Sequence, residues 1–113
     1  MEQTIVFKPT KSINHKERIT IGNKNYVLYY QYNVSQNTWS LSIYEKKLIQ
    51  ENVRNLVPIV LNITIVTGVD LLKQFSYLNI GKLWFWSIDQ ENIDRPTSND
   101  LHINFMATWA YEV

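Results

Sequence analysis

Two neighbouring runs of alternating residues leave this chain little choice of architecture. From Tyr26 the sequence reads Tyr-Val-Leu-Tyr-Tyr-Gln-Tyr-Asn, and a period of two puts Tyr26, Leu28, Tyr30 and Tyr32 on one strand face. A little further on, Trp39, Leu41 and Ile43 alternate with Ser40, Ser42 and Tyr44, an apolar-in, polar-out strand. Between them Val34-Ser35-Gln36-Asn37 is polar enough to turn, so the two runs read as a β-hairpin. A hairpin with one apolar face needs a second layer to cover it.

The rest of the chain extends the β reading. Arg18-Ile19-Thr20-Ile21 is a further strand, joined to Tyr26 by Gly22-Asn23-Lys24-Asn25, whose Gly and Asn tolerate the positive φ of a tight turn. Pro58 to Val66 is crowded with β-branched residues that lose χ1 freedom in a helix, and Pro58 belongs near its start or on an edge. Asp70 to Leu78 is the one expected helix, with Asp70 as its cap, Leu71, Leu72, Phe75 and Leu78 on one side, and Gly81 in a left-handed position past its end. Lys82 to Asp89 is a strand carrying Trp84, Phe85 and Trp86, Gln90 to Asp100 a polar loop around Pro96, and Leu101 to Tyr111 a long closing strand. The expected fold is mainly β: a small single-domain β-barrel or β-sandwich over residues 1–113, with one short α-helix at about 70–78. Leu28, Leu41, Ile43, Ile63, Ile65, Leu72, Leu83 and Ile103 are its expected core.

Composition removes several classes of function. With 45% hydrophobic and 19% charged residues, the chain has the apolar content to form a core. It has no cysteine, which excludes disulfides, thiolate zinc sites, iron–sulfur clusters and thiol catalysis. A net charge of +1 supplies no overall field selecting nucleic acid or anionic membrane. The longest apolar run, Leu56 to Val66, is broken by Pro58, Asn62 and Thr64, and is short of the roughly 20 residues a spanning helix needs. Met1-Glu2-Gln3-Thr4 lacks a basic n-region and Ile5-Val6-Phe7 is too short for a signal-peptide core, so action inside a cell, or in something assembled there, is expected.

No catalytic arrangement stands out. His15 and His102 are the two histidines, and neither sits in a two-histidine metal motif. His102, on a predicted strand beside Asp100, reads as a structural hydrogen-bond partner; a hydrolase would have to unite His102, Asp100 and a serine. The three glycines, Gly22, Gly68 and Gly81, form no phosphate-binding loop, and Asp89, Glu91, Asp94 and Asp100 do not follow calcium-loop spacing. Neither cofactor nor metal is expected.

The aromatics and the charges are more informative. Leu83-Trp84-Phe85-Trp86 must turn aromatics to both faces of its strand, and Tyr29 and Tyr30 cannot share one core, so bulky aromatic surface faces outward. Nucleic-acid stacking is normally accompanied by a basic groove, whereas Lys82 is the one basic residue near this strand. Protein contact is therefore preferred, with a carbohydrate- or single-strand-binding β-domain as the alternative. Residues 1–24 carry Lys8, Lys11, Lys16, Arg18 and Lys24 against Glu2 and Glu17, a formal +3. Residues 89–113 carry Asp89, Glu91, Asp94, Asp100 and Glu112 against Arg95, a formal −4. These ends are either solvated faces of one fold or complementary faces of successive subunits. The candidate interface residues are Trp84, Trp86, Tyr29, Lys11, Lys16, Asp94 and Asp100.

Tyr26-x-Leu28-x-Tyr30-x-Tyr32-Asn33 followed by Trp39-x-Leu41-x-Ile43-Tyr44 resembles the opening hairpin of the phage baseplate plug family. Gly68-Val69-Asp70-Leu71-Leu72 with Tyr77-Leu78-x-x-Gly81-x-Leu83 is similar to that family's central segment, and Arg95-Pro96-Thr97 with Asp100-Leu101 to its last loop. The likeness runs from about Ile19 to Tyr111. The chain departs from the pattern at 46–54, longer than a compact polar turn, and at His102, where a glycine is usual. The resemblance implies a small, mainly-β, non-enzymatic structural protein in the virion of a contractile-tailed phage. Made in the host cytoplasm, it would help close the end of the tail tube at the centre of the baseplate. Its expected partners are hub and tail-tube proteins, either as a homo-oligomer, a trimer being favoured, or bound to a symmetric hub, with no membrane and no specific nucleic acid.

Overall fold

The alternating runs do become strands, arranged in two antiparallel sheets. A computed structural model describes residues 2–50, 53–88, 96 and 101–112. Strands β1 (Glu2–Phe7), β7 (Phe105–Glu112) and β6 (Lys82–Ser87) form one sheet, with β7 in the middle. Strands β2 (His15–Ile21), β3 (Lys24–Asn33), β4 (Thr38–Gln50) and β5 (Val53–Thr64) form the other, in that order. The sheets do not close into a barrel; the fold is a sandwich.

The β3–β4 hairpin lays down one side of the core. Leu28 stands opposite Ile43, Tyr30 opposite Leu41 and Tyr32 opposite Trp39, and all but Tyr32 are buried. Such apolar cross-strand pairs are the unit of sheet stabilisation, and each full burial contributes about 1.5–3 kcal/mol. The turn holds itself: Asn33 Oδ1 accepts hydrogen bonds from the Ser35 N–H and hydroxyl and the Gln36 N–H, while Asn37 supplies a positive φ of 52°. Aromatic contacts join the layers: Tyr30 meets Phe85 edge-on at 6.5 Å, and Tyr26 lies 5.3 Å from Trp109. The buried Trp109 indole N–H donates to the Ile80 carbonyl at 2.7 Å.

The described residues of 46–54, which are 46–50 and 53–54, continue the β4–β5 ladder, with Lys46 opposite Leu56 and Lys47 opposite Asn55. Pro58 is tolerated because β5 is the outermost strand of its sheet. Leu41 pairs with Ile63 but Ile43 with Val60, so β5 carries an extra residue at this point, with Asn62 at φ 56°. The displaced Asn62 N–H donates to Ser42 Oγ at 3.0 Å. Ser42, expected on the polar outer side, is consequently buried.

Several expectations need correction. The helix at 70–78 is instead a 3-10 helix, Lys73–Leu78, with a non-helical Phe75 and i to i+3 bonds such as Phe75 N–H to the Leu72 carbonyl. Asp70 does not cap it: Oδ1 accepts from the Leu72 and Leu83 N–H groups, and Asn79, not Gly81, takes the left-handed C-terminal position. The long final strand starts late, because Leu101–Asn104 form one turn of α-helix (α1). Leu101 and Phe105, four apart, both reach the core, while Ile103 turns to solvent at 55% exposure and is not a core residue. The other seven expected core residues are buried. Finally, Glu2–Phe7, where no strand is expected from the sequence, is a strand paired along its length with β7.

Residues 65–71 seal one flank of the sandwich. The Ile65 N–H donates to the Trp39 carbonyl, Gly68 N–H to Phe85 and Leu71 N–H to Leu83, and Thr67 bridges Phe85. Asp70 Oδ1 supplies the acceptor for the Leu83 N–H, so β6 is not left as a bare edge.

Candidate interaction surface

Alternation along β6 decides which aromatics face outward. Leu83 and Phe85 are fully buried, so Lys82, Trp84 and Trp86 occupy the outer face, the tryptophans half-buried. Register extends that face across the sheet: Trp84 stands opposite Thr108, Thr108 opposite Val6, and Trp86 opposite Met106. Val6 is 54% exposed, and the Trp86 indole N–H donates to Thr108 Oγ1 at 3.1 Å, which fixes the ring on the sheet. The result is a rigid outer surface of two tryptophans, a methionine and a valine. Aromatic residues and methionine are the side chains enriched in protein interfaces.

The other expected interface residues are not gathered there. Tyr29 lies on the outer face of the four-stranded sheet, opposite Lys16, whose ammonium sits 5.3 Å from the centre of its ring. Lys11 is exposed in the segment linking β1 to β2. Asp94 and Asp100 lie outside the described residues. Tyr29 and Lys16 thus face away from Trp84 and Trp86, on the other side of the sandwich. Val6, Met106 and Thr108 escaped the sequence reading because their relevance depends on the β1–β7–β6 register. The alternation Thr4-Ile5-Val6-Phe7 is a weak signal for a strand but carries none for its partner.

His15 is held structurally. Its ring stacks on Tyr30 with centroids 4.8 Å apart, Nδ1–H donates to the Ile13 carbonyl at 2.6 Å, and Nε2 lies 3.1 Å from Glu17 Oε1. The same carboxylate oxygen accepts the Thr10 N–H and hydroxyl, so the cluster ties the 8–14 segment to β2. Tyr30 is buried entirely, with no hydrogen bond of good geometry to its hydroxyl; burial, then the Glu17 charge, push its pKa well above 10. His102 lies in α1 rather than on a strand, and its side chain and Asp100 lie outside the described residues. Among the described residues, no three His, Cys, Asp or Glu side chains converge as metal ligands, and no helix is long and apolar enough to cross a membrane.

The chain is thus a mainly-β, two-sheet sandwich whose described polar clusters serve packing and whose three-stranded sheet carries two tryptophans on its outer face. Residues 3–112 match the family described as cyanophage baseplate Pam3 plug gp18. The chain belongs to this baseplate plug family, a structural family of the virion tail, and the family implies association with other baseplate proteins. No individually curated protein matches the chain.

Proposed function

We propose that this protein is a non-enzymatic structural subunit that plugs or closes the central hub or tube end of a phage tail baseplate through protein–protein contacts. It is made in the host cytoplasm and incorporated into the tail baseplate. The carrying observation is the outer face of Trp84, Trp86, Met106 and Val6, displayed on a paired sheet in a chain of the plug family. Closing an axial opening requires several copies around the axis, a trimer being favoured, or one copy held by a symmetric hub. The chain acts as one domain, with its aromatic face against the partner and Lys11, Lys16 and Tyr29 toward a neighbour bearing Asp94 and Asp100.

The test is assembly with the purified hub and tail-tube proteins of the same virion. Trp84→Ala is expected to weaken association by about 2 kcal/mol while leaving the melting temperature of the free protein nearly unchanged. Unaltered association would remove this face from the interface. Binding of sugar or single-stranded oligonucleotide, abolished by the same substitution, would favour the stacking-platform alternative.

A further inference from the structure

The two flanks of the sandwich are unlike. On one, residues 65–71 carry hydrogen bonds from β4 across to β6, and Ile65, Leu83 and Phe85 beneath them are fully buried. On the other, β1 and β2 each end their sheet, and neither outer edge is paired among the described residues. Their inward residues Ile5, Phe7 and Ile19 pack against the core but are only partly buried. A cleft of about 330 Å3 opens between these edges, lined by Phe7, Ile19 and Leu28 at its base and by Lys8 and Arg18.

The edges differ in how they discourage pairing. Charged side chains, prolines and bulges are the usual protections of an exposed strand. β5 has Pro58 and its bulge at Asn62, β2 has Lys16, Glu17 and Arg18, and β6 is covered by residues 68–71. β1 has none beyond Glu2: Gln3-Thr4-Ile5-Val6-Phe7 is uncharged, free of proline and paired with β7 without interruption. An edge of that kind is a template for another strand.

We propose that the open flank is a strand-addition site: an extended segment of a partner chain pairs with β1, alternating apolar residues toward Ile5, Phe7 and Ile19 with acidic residues beside Lys8 and Arg18. The charge of the occupant follows from those two cations, since Glu17 at the same cleft is already engaged by Thr10 and His15. Its alternation follows from the period of a strand that must continue the sandwich interior on one side and meet water on the other. The assignment rests on the baseplate reading for the partner's identity and adds the mode of attachment.

Peptides of about ten residues tiling the other baseplate proteins of the same virion serve as probes for the full-length protein. Those that alternate apolar with acidic residues are expected to bind, to slow amide exchange across 2–7 and 15–21, and to bind about 10-fold or more weakly to the Lys8→Glu/Arg18→Glu variant. Both substituted residues are exposed, so the fold is kept, and an unchanged melting temperature verifies it. Absence of any binding peptide, protection on the Trp84 face instead, or indifference to the charge reversal would each overturn the proposal. So would self-association that protects residues 2–7, which would make a second copy the occupant. If intact baseplate proteins still bind in a Trp84-dependent way while no peptide enters the cleft, strand addition fails and the plug reading stands.

Discussion

Gly81 shows how one atom can decide a local structure. Its φ is +107°, and a Cβ there would lie 2.1 Å from the Ala110 carbonyl oxygen and 3.0 Å from Trp109 Nε1. Backbone, not a flexible side-chain tip, occupies the space, so relief requires moving β7. Gly81→Ala is expected to cost about 3 kcal/mol or more, read as a fall in denaturation midpoint. A change below about 1 kcal/mol would show that β7 yields easily. The buried tyrosines set the alkaline limit. Burial first, then the charge of its cross-strand neighbour Glu45, push Tyr26 up from 10.0 to about 12; Tyr30 moves the same way, for burial and Glu17. Each is penalised in its phenolate form when folded, so the unfolded chain loses the proton first. The Tyr26 contribution is whole below about pH 10 and is lost as pH climbs from there toward 12, and Tyr30 acts in the same direction. Tyr26→Phe is expected to flatten that decline. Denaturant melts at stepped alkaline pH, with phenolate absorbance followed in parallel, measure it; an equal slope in the variant would refute the assignment.

Among the elements, the β3–β4 hairpin carries the most buried apolar surface that is both local in sequence and matched across strands. Leu41 and Ile43 are fully buried at its centre. Leu41→Ala or Ile43→Ala should therefore leave a cavity and cost about 2–5 kcal/mol, whereas an exposed site such as Val34 should tolerate alanine within about 0.5 kcal/mol. Equal effects at the two kinds of site, in equilibrium unfolding, would contradict the packing described. The 65–71 segment has little regular structure, yet it closes a flank because Asp70 offers its carboxylate where β6 lacks a strand partner.

For the whole molecule, charge placement controls encounter more than affinity. Lys8, Lys11, Lys16, Arg18 and Lys24 are all exposed along the β1–β3 region. Rim charges of this kind act mostly by steering. Lys11→Glu with Lys16→Glu is expected to slow association with baseplate proteins several-fold at low salt and to reduce its salt dependence, while dissociation changes little. Stopped-flow association at two ionic strengths reads this directly; an effect confined to dissociation would place the lysines inside the interface.

Short-range pattern was enough for part of this structure. Period-two alternation yields Tyr26 to Tyr32 and Trp39 to Ile43 because a hairpin's partner strands are adjacent in sequence and share one polar turn. The same rule puts Phe85 inward and the flanking tryptophans outward, so half of the proposed interaction surface was legible as a necessity of the strand. Tertiary structure decided the rest. Glu2–Phe7 is a strand because β7, about a hundred residues away, pairs with it, and no local signal encodes so distant a partner. Leu101-His102-Ile103-Asn104 alternates like a strand but coils once, since Leu101 and Phe105 must both enter the core. Val6, Met106 and Thr108 join the tryptophans through register alone, and Lys16 with Tyr29 falls on the opposite face for the same reason. Alternation determines which side of its own strand a residue occupies; only the pairing of strands across the chain determines which residues share a surface.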